Sequence, residues 1–184
     1  MALSIGYRYN FGVKKQIYLR DTVPKIGRKN YFLVGLGLGI LEKGKVSNGP
    51  TFNSYNLNLQ YNRATGHTNH LVAGLNLSYS DMAYKETLFK ENNESNIQNR
   101  TLNSMYASVF IGDELIFNSI GVFIHVGFYV FQPYSTLNFM YQKVGVNYYF
   151  PEMGKSKWRL YSGINIKSHL NTAESLEFRS GIRF

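Results

Sequence analysis

His169 is the residue with the most chemistry within reach along the chain. Around it stand the hydroxyls of Ser168, Thr172 and Ser175 and the acids Glu174 and Glu177. Imidazole, hydroxyl and carboxylate are groups that can pass a proton among themselves. On a β-strand the same residues also make ordinary cross-strand polar pairs, so residue type alone leaves both readings open. The chain has no cysteine, which excludes disulfides, thiolate nucleophiles and cysteine-based zinc or iron–sulfur sites. His67, His70 and His125 are scattered, so neither a metal nor a cofactor is expected.

The elements that must carry His169 announce themselves by alternation. From residue 32 to 40 the large apolar side chains Phe32, Val34, Leu36, Leu38 and Ile40 alternate with Gly35, Gly37 and Gly39. A period of two means strand. In 54–62, Tyr55, Leu57, Leu59 and Tyr61 share a face opposite Ser54, Asn56, Asn58, Gln60 and Asn62. Comparable runs follow at 70–80, 104–112, 120–130, 140–150, 157–170 and 176–184, which completes a set of eight amphipathic strands. With 15 Tyr, 13 Phe and 17 Gly against only 4 Pro, the composition also favours strands over helices.

Which face is buried, and against what, decides the class. One face carries rows of Ile, Val, Leu and Phe on every strand; the other carries Asn, Gln, Ser, Lys and His with Gly and Tyr between them. A narrow lumen filled by side chains accounts for the polar face, and lipid accounts for the apolar one. The runs reach the ~9–11 residues that a tilted strand needs to cross a bilayer. The predicted fold is therefore all-β, an antiparallel up-and-down transmembrane β-barrel of eight strands over residues 31–184. Residues 1–30 are expected to form an extension or further strands. Leu3, Ile5, Tyr7, Tyr9, Phe11 and Val13 alternate too, and one more strand around 17–19 would make ten. The opening MALSIGYRYNFG lacks the blocks of a signal peptide, so an exported protein is expected in a mature or trimmed form. Short turns are predicted at 64–68, 118–119 and 151–156, and longer outward loops at 43–50, 85–103, 132–136 and 171–175.

The 20 Lys+Arg exceed the 11 Asp+Glu to give a formal charge of +9, which points to anionic partners. On a membrane barrel these are membrane lipids and lipopolysaccharide phosphates rather than nucleic acid. Inside the lumen, Glu114, His125, Lys143, Arg179 and Arg183 are expected to form a buried polar cluster with the His169 region. Pairing Leu170 with Leu176 sets His169 opposite Glu177; a register two residues away sets Lys167 there instead.

The succession LNLQYNRATGHTNHLVAGLNLSYSD, SVFIGDELIF, VGFYVF, YQKVGVNYYF and INIKSHLNTAESLEFRSGIRF resembles the outer-membrane acyloxyacyl hydrolases, the lipid A 3-O-deacylase family. That resemblance implies a bacterial outer-membrane location, lipid A as the substrate, and hydrolysis of one of its acyl esters by a Ser-His-acid site. His169 corresponds to the family histidine. Glu177 is then the expected orienting acid and Ser168 a candidate nucleophile, because Asn171 stands where the family carries its serine. The hydroxyls of Thr172 and Ser175 are alternatives. His169 and Glu177 read equally well as lumen packing, which makes a non-catalytic barrel with a structural, adhesion or complex-subunit role, and partner proteins to match, the second expectation. The alternation itself predicts that the purified protein needs detergent, gives a β-dominated circular dichroism spectrum and migrates differently on gels before and after boiling. A monodisperse monomer without detergent contradicts it.

Overall fold

A computed structural model describes residues 30–42, 51–85, 100–133, 139–151, 158–169 and 172–184. The ordering β1 (Tyr31–Glu42), β2 (Thr51–Ala64), β3 (Asn69–Ser80), β4 (Met105–Phe117), β5 (Ile120–Phe131), β6 (Met140–Tyr149), β7 (Arg159–His169) and β8 (Thr172–Arg183) follows the chain, with a short helix at Arg100–Asn103 ahead of β4. Every strand pairs antiparallel with the next, and β8 returns to β1 to close the barrel. Closure leaves no unpaired strand edge. All the alternating runs of 31–184 are strands; the further strands considered for residues 1–29 lie outside the described residues.

The barrel has two unlike ends. The lower end carries the β2–β3, β4–β5 and β6–β7 connections, including the two-residue turn at Asn118 and Ser119, where Asn118 takes a φ of 57°. Asparagine tolerates that left-handed conformation better than most residues, and it suits a tight hairpin. The upper end carries the β1–β2, β3–β4, β5–β6 and β7–β8 connections. Here the prediction of a loop at 171–175 is corrected. Strand β8 begins at Thr172, so Thr172 to Ser175 extend the sheet rather than leave it.

Alternation divides the wall as expected. Leu36, Leu38, Leu75, Ile111, Val130, Ile164 and Phe178 lie on the outside and are about half exposed or more. Asn62, Glu114, His125, Asn147 and Asn165 point inward and are buried. Rows of exposed apolar residues on every strand have no soluble explanation, since water would meet them all around the barrel.

Eight strands leave little room inside, and the sequence meets that limit by setting large side chains against glycines. Tyr161 fills the space over Gly35, Tyr141 the space over Gly127, and Glu114 the space over Gly121. A Cβ at any of these glycines would collide with the side chain named. Gly35 and Gly39 are therefore spacers, for Tyr161 and for Ser54, a role that alternation alone does not reveal.

Two substitutions test this division. Ile164→Arg places a charge on the lipid face and should cost about 2–4 kcal/mol near the bilayer midplane, read by denaturant titration in lipid or detergent. Gly127→Leu should do comparable damage from the inside by displacing Tyr141. Wild-type stability for Gly127→Leu would show that the lumen has slack.

Candidate functional site

Inward-facing polar residues gather into two clusters. In the lower one Glu114 is fully buried and accepts hydrogen bonds from Tyr149 Oη at 2.6 Å, Asn147 Nδ2 at 2.8 Å, Asn62 Nδ2 at 2.9 Å and Tyr31 Oη at 3.3 Å. One carboxylate thus joins β1, β2, β4 and β6 across the lumen. Beside it Arg179 donates from Nε to Asn147 Oδ1 at 2.9 Å, and its guanidinium lies 3.9 Å from the Phe123 ring centre. Arg183 covers the ring of Tyr31 at 3.8 Å. His125 is stacked on Phe110, with the Phe123 ring tilted against it.

The upper cluster contains His169. Lys143 Nζ and Asn165 Nδ2 both donate to Glu177 Oε2, at 2.7 and 2.8 Å. Lys167 Nζ and His169 Nε2 both meet Glu174 Oε2 at 2.8 Å. The ring of His169 is buried and lies nearly parallel to that of Tyr129, 5.9 Å away, with Tyr141 at its edge. These residues come from β5, β6, β7 and β8.

A bulge makes this arrangement. Lys167 is opposite Ser175, while its neighbour Ser168 is opposite Ala173, so Glu174 is the extra residue on β8. Strict alternation counted back from Leu176 would turn Glu174 to the lipid side. The bulge turns it inward instead, to meet both Lys167 and His169. The register also differs from both predicted hairpins, because Glu177 lies opposite Asn165. His169 itself lies opposite Thr172. The acid held by His169 is therefore Glu174, and Glu177 serves Lys143 and Asn165. One signal for this was present in the sequence: an acid that alternation assigns to lipid is a reason to expect a bulge.

The other candidate residues are divided by the wall. His169 faces the lumen, and Ser168, next to it on the strand, faces the opposite side. Ser175 is buried on the lumen side, next to Lys167 in register. Asn171 lies outside the described residues. The second ring nitrogen of His169, Nδ1, lies 3.0 Å from the main-chain carbonyl oxygen of Met140. A carbonyl only accepts, so Nδ1 is a donor here. Both nitrogens thus face acceptors, and neither presents a lone pair to a hydroxyl. The free space beside the cluster is a cavity of about 20 Å³ among Ser54, Tyr129, Lys167, Glu174 and Ser175, room for about one water. Among the described residues no group of three or more His, Asp or Glu could hold a metal ion.

The sequence model of the family described as "Acyloxyacyl hydrolase, C-terminal domain" matches residues 10–184. No curated protein matches this chain. Among solved structures, one described as "De novo design of transmembrane beta-barrels" is similar at 10% identity with a TM-score of 0.47, over 84% of this chain and 93% of its own.

The two acids should separate on substitution. Glu177→Ala leaves the buried ammonium of Lys143 without its counter-ion and should lower stability by roughly 1–3 kcal/mol, measured by denaturant titration of the folded barrel. Glu177→Gln, which keeps an acceptor for Asn165, should lose less. Equal stability of wild type and Glu177→Ala would mean that this ion pair does not hold the lumen together.

Proposed function

Because this chain belongs to the acyloxyacyl hydrolase family, we propose that it is an outer-membrane barrel that hydrolyses an acyl ester of lipid A. His169 is the proton acceptor in this reading and Glu174 the acid that orients it. The observation that carries the reading is the 2.8 Å contact between His169 Nε2 and Glu174 Oε2 near the upper mouth of the barrel, in a member of that family. The wall's apolar exterior suits a substrate held by its acyl chains in the surrounding leaflet. The excess of basic residues favours a lipid that carries phosphates.

With Glu174 fixing Nε2–H, the basic nitrogen is Nδ1, and it must first leave the Met140 carbonyl. Met140 is the first residue of β6, at the rim of the barrel. Catalytic hydrogen bonds in an unliganded enzyme often form only with substrate present, so the Met140 contact describes the resting state. Once free, Nδ1 takes the proton of the attacking hydroxyl as its oxygen bonds to the acyl carbon, and gives that proton to the departing lipid A oxygen as the ester bond breaks; Nδ1 then takes a proton from a water that cleaves the new acyl–enzyme ester, which frees the fatty acid and restores the hydroxyl. Ser175 shares the lumen face with His169, whereas Ser168 needs the end of β7 to turn over. Ser175 is therefore the first hydroxyl to test, with Ser168 and Thr172 after it.

A second reading is favoured by two particular observations: Asn171 stands in place of the family serine, and both ring nitrogens of His169 face acceptors. In that reading the barrel is non-catalytic and the upper cluster is a polar plug that keeps the strand ends together. Mass spectrometry of lipid A from cells with and without the protein separates the two. The hydrolase reading expects loss of one acyl chain with the wild type and none with His169→Ala or Glu174→Ala, each checked for heat-modifiable migration as proof of folding. It expects Glu177→Ala to keep acyl release when folded. If the wild type releases no fatty acid, the plug reading stands.

A further inference from the structure

Among the described side chains of the strands, two charged ones face the lipid side, and they lie in one row. Arg63 on β2 is opposite Leu71 on β3, and Leu71 is opposite Asp113 on β4. Arg63 sits one residue from the lower end of its strand, where a long side chain reaches the interface easily. Asp113 is different. It lies within β4, and its outward neighbours Leu71, Ile111, Leu115 and Ile124 are all exposed and apolar. A carboxylate in such a band is disfavoured unless something covers it. Within this chain Leu71 stands between Asp113 and Arg63, and no ion pair joins them.

We propose that this face is the contact between two copies of the chain in the membrane. The inference rests on the reading that the barrel's outer face meets lipid. The occupant follows from the symmetry of the row. A two-fold axis parallel to the barrel axis and passing beside Leu71 sets one copy's Arg63 against the other's Asp113, twice, with the two Leu71 side chains at the centre. Such an interface is self-complementary in the way closed dimers require. Neighbouring strands are about 4.8 Å apart, so the charges stand roughly 10 Å apart on each copy, with an apolar residue between them. The guanidinium of Arg63 has the length to rise to the level of Asp113 on the partner, and the charge-assisted contact is strongest where water is excluded.

The natural absence of cysteine makes the test direct. Leu71→Cys is expected to give a crosslinked dimer of this chain in native membranes under mild oxidation. Val144→Cys, on another part of the outer wall, should give none. Added to Leu71→Cys, Asp113→Asn should lower the crosslinked fraction about tenfold, and the exchange Arg63→Asp with Asp113→Arg should restore it. Asp113→Asn adds no charge to the lipid face, so its folding is not at issue, and heat-modifiable migration checks it. Membrane fractionation is read in parallel: a chain found outside the membrane fraction defeats the lipid reading itself. A membrane-embedded, heat-modifiable Leu71→Cys barrel that crosslinks no better than Val144→Cys overturns the proposal. So does a crosslink made only to another protein, or a yield unchanged by Asp113→Asn.

Discussion

Room inside the barrel is the constraint on which the rest of the structure depends. Eight strands enclose a lumen only wide enough for side chains, so each large inward residue needs a small one on the strand facing it. Tyr161 over Gly35, Tyr141 over Gly127 and Glu114 over Gly121 meet that need. With the lumen closed to bulk water, any charge placed there must find its partner among its neighbours. The pairs Lys143 with Glu177 and Lys167 with Glu174, and the four donors around Glu114, satisfy this. Glycine spacing and polar pairing are two consequences of one narrow tube.

The same constraint limits the chemistry. His169 lies inside the wall, stacked on Tyr129, with a cavity near the cluster too small for anything beyond about one water. An acyl ester cannot come to the histidine through the lumen. In the hydrolase reading it comes by the rim, where β6 begins at Met140 and β7 ends at His169. The Met140 carbonyl is therefore the element on which the hydrolase and plug readings diverge: catalysis needs that contact to be temporary, and a plug needs it to last.

The outer face obeys a complementary rule. Lipid accepts the apolar rows without further demands, so a polar group there stands out, as Asp113 does between Leu71 and Ile124. Glu174 would have been another had the bulge on β8 not turned it inward. The two acids show two solutions to one problem: Glu174 is drawn into the lumen, and Asp113 is left for a neighbour to cover.

The fold was legible in the sequence because a period of two is a local property. Phe32 to Ile40, Tyr55 to Tyr61 and Ile120 to Val130 each declare a strand and its two faces without reference to the rest of the chain. The choice between lumen and lipid followed from the same rows, as did the inward placement of Glu114, His125, Lys143 and Arg179. Register was not local. Whether Glu177 faces His169, Lys167 or Asn165 depends on how β7 and β8 slide past one another, and a single inserted residue at Glu174 reset it. The sequence therefore placed His169 on the inner wall and supplied its possible acids, while the closed sheet chose Glu174. It chose the Met140 carbonyl too, because main-chain atoms brought together from β6 and β7 leave no mark in side-chain pattern.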